Sequence, residues 1–383
     1  MHVLPLPFGL ALALLPRREA RLRQSDDDRP IRANRGLSHR ERILADPHGA
    51  ALPAAVPVMK AIARDAYGSP DLLELREIEK PAVGADGVLV RVHASSVNAQ
   101  DWHLLRGLPY FVRLIEGLST PKSKVLGGDV AGIVEAVGEE VTEFQPGDEV
   151  FGSRYGAFAD YVRGRERNFA PKPAGLTFEE AAAIPLAGIT ALQALRDRGG
   201  IRAGQRVLIN GAAGGVGTFS VQIAKVFGAA VTAVCSTRNV DLVRSLGADE
   251  VIDYTAEDFT RNGREHELIF DIAGNRALRD VRRALTPEGT LVLVGGGGLD
   301  DSMALFGPLA RSVKAFVFSP FVGQRLLPFL AKIRKEDLLV LKELVEDGKI
   351  RPVIDRTYPL RDTPEAIRYL ETGHARGKTV ISV

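Results

Sequence analysis

Along this chain the spacing of apolar and polar positions changes twice. From Met59 to about Pro173, short apolar or alternating runs are separated by turn residues, as in MKAIARDAYGSP, DGVLVRVHASSVN and VAGIVEAVG. Alternation places successive side chains on opposite faces of a strand. In QPGDEVFG, Pro146-Gly147-Asp148 reads as a tight turn ahead of a further strand. This part predicts a turn-rich β unit. Near Thr177 the period lengthens to that of a helix. TFEEAAAIPLAGITALQAL opens with Thr177 and Glu180, a spacing that satisfies the free N–H groups of a helix start, and Pro185 divides the segment into two helical pieces.

Strands and helices then alternate. RVLIN, AAVTAVCS, EVIDY, ELIFDIAG and GTLVLVGG are apolar strand runs. Between them, Gly217 to Phe227, VDLVRSLG and RALRDVRRAL carry helical spacing, the first two stopped by Gly228 and Gly247. Apolar strands joined by short helices predict parallel βαβ units in a doubly wound sheet, an α/β architecture. The end of the chain differs again: an amphipathic helix, KEDLLVLKELVEDGKI, stopped by Gly348, then the strands RPVIDRTYPL and GKTVISV.

Residues 1–58 fit none of these patterns. VLPLPFGLALALLP is short for a membrane span and lacks the basic segment that precedes a signal peptide's apolar core. The arginine-rich stretch after it contains Asp26, Asp27 and Asp28, and acids argue against a mitochondrial presequence. Residues 1–58 are therefore expected to be an extension, disordered or not natively translated, with Met59 as the natural start.

Charge narrows the partners. Nine of the 50 Lys and Arg and six of the 48 Asp and Glu fall before Met59, leaving 41 against 42 in the remainder. No excess of positive charge recommends nucleic acid or an anionic membrane. Cys235 is the one cysteine, so an internal disulfide and a cysteine-rich zinc site are impossible. Its apolar setting reads as a small buried side chain, and the cytoplasm is the expected compartment.

The candidate chemistry lies in NGAAGGVG. Gly211, Gly214 and Gly217 follow a strand and open a helix, where a bare backbone can approach a pyrophosphate at the helix N-terminus. Ala213, Gly215 and Val216 complete the turn. An NAD site usually carries an acid about 20 residues on, for the ribose 2′-hydroxyl. Here the chain reads CSTRNV. Ser236, Thr237 and Arg238 offer hydroxyls and a guanidinium, which suit a 2′-phosphate and point to NADPH.

These motifs, with LGGDVAGIVEAVG, GAFADYV and RGKTVISV, resemble the medium-chain dehydrogenase/reductase superfamily, in its zinc-free quinone oxidoreductase branch. The resemblance covers Met59 to Val383. It implies a GroES-like β catalytic domain over 59–183, an inserted Rossmann NADP-binding domain over 184–320, and a return to the catalytic domain over 321–383. It also implies a cleft between domains and commonly a homodimer. Zinc-dependent members carry a Cys ligand near the place of Asn98 and a Gly-His-Glu motif where Gly128-Asp129-Val130 stands here. No metal site is expected, and His93 and His103 read as ordinary strand and helix residues.

Without a strong Lewis acid, the natural acceptors are conjugated ones, quinones or α,β-unsaturated carbonyls. By the resemblance, Asn98 and Asp101 match the family's Asn-x-x-Asp segment, with Asn98 by the nicotinamide ribose or substrate. Thr190 matches a residue near the nicotinamide, Lys378 resembles a basic residue of the last strand, and Gly295 and Gly296 end a strand the nicotinamide passes. Tyr254 can add a phenol to the 2′-phosphate. Tyr110 is a candidate proton donor or an aromatic lining the substrate cleft. The rival reading is a non-catalytic NADPH-binding sensor or scaffold of the same fold. The short-chain reductases are set aside, because no Tyr here has a Lys four residues on.

Overall fold

A computed structural model describes residues 56–294, 307–319 and 322–383. The first 55 residues, and with them most of the expected extension, lie outside the described residues, as do Gly295 and Gly296. The first part holds β1 (Val58–Ala63), β2 (Glu74–Glu79), β3 (Val88–Val97), α1 (Ala99–Arg106), α2 (Phe111–Glu116), β4 (Asp129–Val137), β5 (Glu149–Ser153), β6 (Tyr161–Gly164), β7 (Phe169–Pro171) and α3 (Phe178–Ala182). The middle holds α4 (Pro185–Gln193), β8 (Arg206–Asn210), α5 (Gly215–Val226), β9 (Ala230–Cys235), α6 (Val240–Ser245), β10 (Glu250–Asp253), β11 (His266–Asp271), α7 (Leu278–Val281), β12 (Leu285–Leu293), α8 (Gly307–Phe318) and β13 (Arg325–Pro328). Last come α9 (Lys335–Glu346), β14 (Ile354–Pro359), α10 (Thr363–Glu371) and β15 (Lys378–Ser382).

Two larger sheets result. One runs β14-β15-β3-β4-β5-β7 with β6 also on β3, so the final strands return to the sheet that the first part begins. The other is parallel throughout, in the order β10-β9-β8-β11-β12-β13. Val207, Leu208, Ile209 and Asn210 of β8 are all buried, as a strand covered by helices on both faces must be. The strand order reverses between β8 and β11, and ligands of such sheets bind in the crevice at that point. The parallel sheet extends through β13, beyond residue 320.

The helix starts follow local chemistry. Thr177 Oγ1 accepts the Glu180 N–H at 3.2 Å, and Glu180 Oε2 accepts the Thr177 N–H at 2.9 Å. Pro185 stands at the first position of α4, separating it from α3. α5 begins at Gly215, two residues before the helical spacing is visible in sequence. The helix expected in RALRDVRRAL is reduced to α7 and a 3-10 turn over Arg282–Ala284. Leu285 is buried and paired with His266, so strand pairing takes over there, and Pro287 could not have continued a helix. α4 packs between the sheets and α9, where Leu341 closes on the bare Gly188.

Candidate active site

β3 ends at Val97, and Asn98 turns the chain into α1. Asp101 reaches back by one turn. Its Oδ2 accepts the Asn98 N–H at 2.8 Å, and its Oδ1 accepts the Gly127 N–H at 3.1 Å, which ties α1 to the approach of β4. Burial, with Asp129 nearby, pushes the Asp101 acid up to about 7. The other end of α1 is held as firmly. Arg64, fully buried, donates to the carbonyls of Leu104 and Leu105 at 2.6 and 3.0 Å, and Trp102 and Arg106 both donate to Glu371 on α10.

The Asn98 amide turns away from its own helix. Its Nδ2 donates to Ser96 O at 3.2 Å and to Asp129 Oδ2 at 2.9 Å, while its Oδ1 accepts from Lys378 Nζ at 2.5 Å. Asp129, with no exposed surface, gathers three more donors: Ser96 Oγ at 2.7 Å, Lys378 Nζ at 3.3 Å and the Leu186 N–H at 2.9 Å. A buried carboxylate is costly unless paired and hydrogen-bonded, and this one is both. Through it, β3, β4, β15 and the first turn of α4 meet at one side chain. Thr190 lies a turn further along α4, its hydroxyl donating to Leu186 O at 2.6 Å.

Lys378 also touches the glycine turn. A Cβ on Gly215 would come within 2.8 Å of its Cδ. Gly377 N donates to Ala213 O at 2.8 Å, and Gly377 pairs with Gly214 as an isolated bridge. Gly211 takes φ +91°, and a Cβ on Gly217 would meet Gly211 O at 2.1 Å. Helix and strand are thus in backbone contact. At Gly214, by contrast, a Cβ would have only Gly211 O within 4 Å, at 3.7 Å, so this side of the turn is open. The helix geometry leaves the amides of Gly215, Val216 and Gly217 without partners inside α5. An open backbone face over free amides fits a diphosphate.

A second group forms at the ends of β9 and β10, where Cys235 and Asp253 are in register. Cys235 itself is buried, and burial raises its thiol to about 11. Ser236, Thr237 and Arg238 follow β9, and the half-exposed Tyr254 follows β10. The Arg238 guanidinium is bonded to the carbonyl of His374. Asp253, which has no signature in the sequence, takes the hydroxyls of Thr237 at 2.5 Å and Thr255 at 2.7 Å. These bonds hold its carboxyl below the ordinary range.

The structure therefore brings Asn98, Asp101 and Lys378 together with the glycine turn, and Thr190 near them by way of Leu186. Tyr110 is at the start of α2, 47% exposed, its ring under Arg113 at 5.0 Å. His93 stacks on Phe178, and His103 is 2.8 Å from Leu108 O. Ser96 and Asp129 complete the cluster; Asp129 stands where zinc-dependent members of the family carry a histidine, and no short motif marks Ser96. Tyr155 and Gln100, bonded to one another beside it, are likewise unmarked in the sequence.

Two family models match the chain: "Alcohol dehydrogenase GroES-like domain" over residues 84–175 and "Zinc-binding dehydrogenase" over 246–381. The metal in the second name does not fit the residues here. Among the described residues no three His, Cys, Asp or Glu side chains group to hold an ion, and the Lys378 ammonium already stands against Asp129. The chain is similar to the mitochondrial NAD(P)H oxidoreductase RTN4IP1 of Bos taurus, 36% identical over 85% of this chain and 89% of the relative. It is 33% identical to the chloroplastic NADPH-dependent alkenal/one oxidoreductase of Arabidopsis thaliana, over 86% of this chain and 81% of that one. The solved quinone oxidoreductase of Coxiella burnetii superposes with a TM-score of 0.76 at 31% identity, covering 85% of this chain and all of the other. Among the described residues no helix is long and apolar enough to cross a membrane. With the GroES-like sheet, the parallel six-stranded sheet and these relatives, the chain belongs to the medium-chain dehydrogenase/reductase superfamily, in its quinone oxidoreductase branch.

Proposed function

We propose that this protein is a zinc-independent, NADPH-dependent reductase of quinones or α,β-unsaturated carbonyl compounds. The observation that carries the reading is the meeting of the open glycine turn with the buried Asn98–Asp129–Lys378 cluster at Gly377 and Lys378. One face suits a diphosphate, and the other borders the place where chemistry would occur. Bound there, the reduced nicotinamide supplies a hydride. The names of the relatives, alkenal/one and quinone oxidoreductases, agree with a conjugated acceptor.

The chain's own residues bind and orient. Gly211, Ala213, Gly214, Gly215, Val216 and Gly217 present backbone to the diphosphate. Ser236, Thr237, Arg238 and Tyr254 would hold the 2′-phosphate. Among the described residues Asp253 is the carboxylate bonded to this group, and its bonds to Thr237 and Thr255 occupy it. Lys378 spends its three hydrogens on Val97 O, Asn98 and Asp129, so it fixes the floor of the site instead of reaching the acceptor. Asn98 and Asp101 shape that floor, with Thr190 alongside. Tyr110, Phe111, Leu114, Ile115 and Leu118 leave exposed apolar surface on and around α2, which suits an apolar acceptor. The same reading takes the protein as a cytoplasmic homodimer acting on small molecules.

The test is NADPH absorbance followed against NADH over a panel of quinones and conjugated enones. Turnover preferring NADPH is expected. NADPH binding without turnover of any acceptor would favour the sensor or scaffold, and preference for NADH would overturn the phosphate assignment.

A further inference from the structure

Reduction of a conjugated carbonyl needs a proton as well as a hydride, and no hydroxyl, amide or ammonium hydrogen of the cluster is free to give one. The Lys378 hydrogens are all engaged, and so are both amide hydrogens of Asn98. The hydroxyls of Ser95 and Ser96 donate to Asp129, and that of Thr190 to Leu186 O. Asp101, whose acid is raised to about 7, is 1% exposed with both oxygens against backbone N–H groups, so its proton is shut away from an acceptor.

Tyr155 differs. Its loop is pinned to the start of β4: Arg154 N donates to Gly128 O at 2.7 Å, Gly156 N to Gly127 O at 3.0 Å, and Ser153 Oγ to Gly128 O at 2.9 Å. This puts Tyr155 against Gly127 and Gly128, just ahead of Asp129, and opposite α1, where Gln100 Nε2 donates to its oxygen. Gln100 lies two residues past Asn98. The phenol hydrogen has no acceptor among the described residues, and the residue is 42% exposed. It is an exposed phenol at the edge of a site whose hydroxyl, amide and ammonium hydrogens are otherwise engaged among the described residues.

On the reductase reading above, we infer that Tyr155 is the proton donor to the acceptor's oxygen, with Gln100 as the positioning residue that holds the phenol and stabilises the phenolate left behind. The step balances. Hydride forms a C–H bond at the conjugated carbon, the C=C pair shifts to make a new double bond to the carbonyl carbon, and the C=O π pair moves onto the oxygen, giving the enol or hydroquinone level once that oxygen is protonated. The Tyr155 O–H bond breaks as an O–H bond forms on that oxygen, and water returns a proton to the phenolate. The acceptor gains two electrons and two hydrogens, and the nicotinamide is oxidised by two electrons. The charges around the phenol suit the role: burial first, then Asp101 on α1 and Glu116 on α2, raise it, while Gln100 and Arg154 act in the opposite direction. The group therefore stays protonated at neutral pH.

Two measurements test this. On cofactor-free protein, the ultraviolet titration difference between wild type and Tyr155→Phe reads this one phenol. Its midpoint is expected above the ordinary value of about 10 and higher still in Gln100→Leu. An ordinary midpoint that Gln100→Leu leaves alone would overturn the paired geometry. In turnover, Tyr155→Phe is expected to lower kcat roughly ten- to a thousandfold, with NADPH affinity unchanged. Equal kcat in an active wild type rejects Tyr155 alone. A wild type that binds NADPH and reduces no acceptor removes the reductase reading and the donor with it.

Discussion

Arg238 and Asp101 show how differently two charged residues are read. Arg238 was visible in sequence because it follows a strand where an acid usually stands. Its present bond to the His374 carbonyl uses one end of a fork that keeps other donors free. Arg238→Ala is expected to raise the KM for NADPH roughly ten- to a hundredfold, the worth of a charge-assisted bond, and to leave that for NADH unchanged. Equal effects on both would reject the phosphate role. Asp101 was visible as part of a motif, but its burial was not. Its acid is raised to about 7 when folded, against about 3.9 in an unfolded chain. The folded state therefore holds the proton over a window where the unfolded state has lost it. Stability is greatest near and below pH 4 from this group, and it falls by about 1.4 kcal/mol per pH unit as pH rises toward 7. Across that window the urea midpoint of wild type should fall relative to that of Asp101→Asn, which lacks the titrating group, and parallel curves would contradict the shift.

At the scale of elements, two helix starts do opposite work. α3 begins on a side-chain box, so Thr177→Ala is expected to cost about 1 kcal/mol in urea unfolding and to leave cofactor binding alone. α5 begins on bare backbone. Gly217→Ala would drive a methyl into Gly211 O, forcing strand and helix apart. It is expected to lower stability by roughly 1–3 kcal/mol and to weaken NADPH binding more than tenfold in fluorescence titration. Unchanged affinity would mean that the turn does not hold the cofactor. The box in TFEE and the break at Pro185 were legible because both rest on neighbouring residues. The shortening of RALRDVRRAL was not, because its cause is the pairing of Leu285 with the distant His266.

Across the molecule, Asp129 is the junction. It joins β3, β4, α4 and β15, with Lys378 opposite it at 3.3 Å and both side chains almost wholly buried. Lys378→Met should leave an uncompensated buried carboxylate and cost about 3–5 kcal/mol. The Asp129→Asn, Lys378→Met double variant should recover part of that, and strictly additive losses in urea unfolding would deny the coupling. The two positions are read from the sequence separately, Asp129 as a departure from a histidine motif and Lys378 as a basic residue of the last strand. That they face each other is a fact of the returning β15.

By itself, the sequence determined the β unit, the doubly wound sheet and the glycine turn, and it placed Ser236, Thr237 and Arg238 just after the strand that became β9. All of these rest on periodicity and short motifs, which act over a few neighbouring positions. Only the tertiary structure decided that Lys378 spends its hydrogens on Val97 O, Asn98 and Asp129, that Asp253 sits beside Thr237, and that the Tyr155 hydroxyl meets Gln100. Those relations depend on which strands pair and how deeply each group is buried, and neither is written in local spacing.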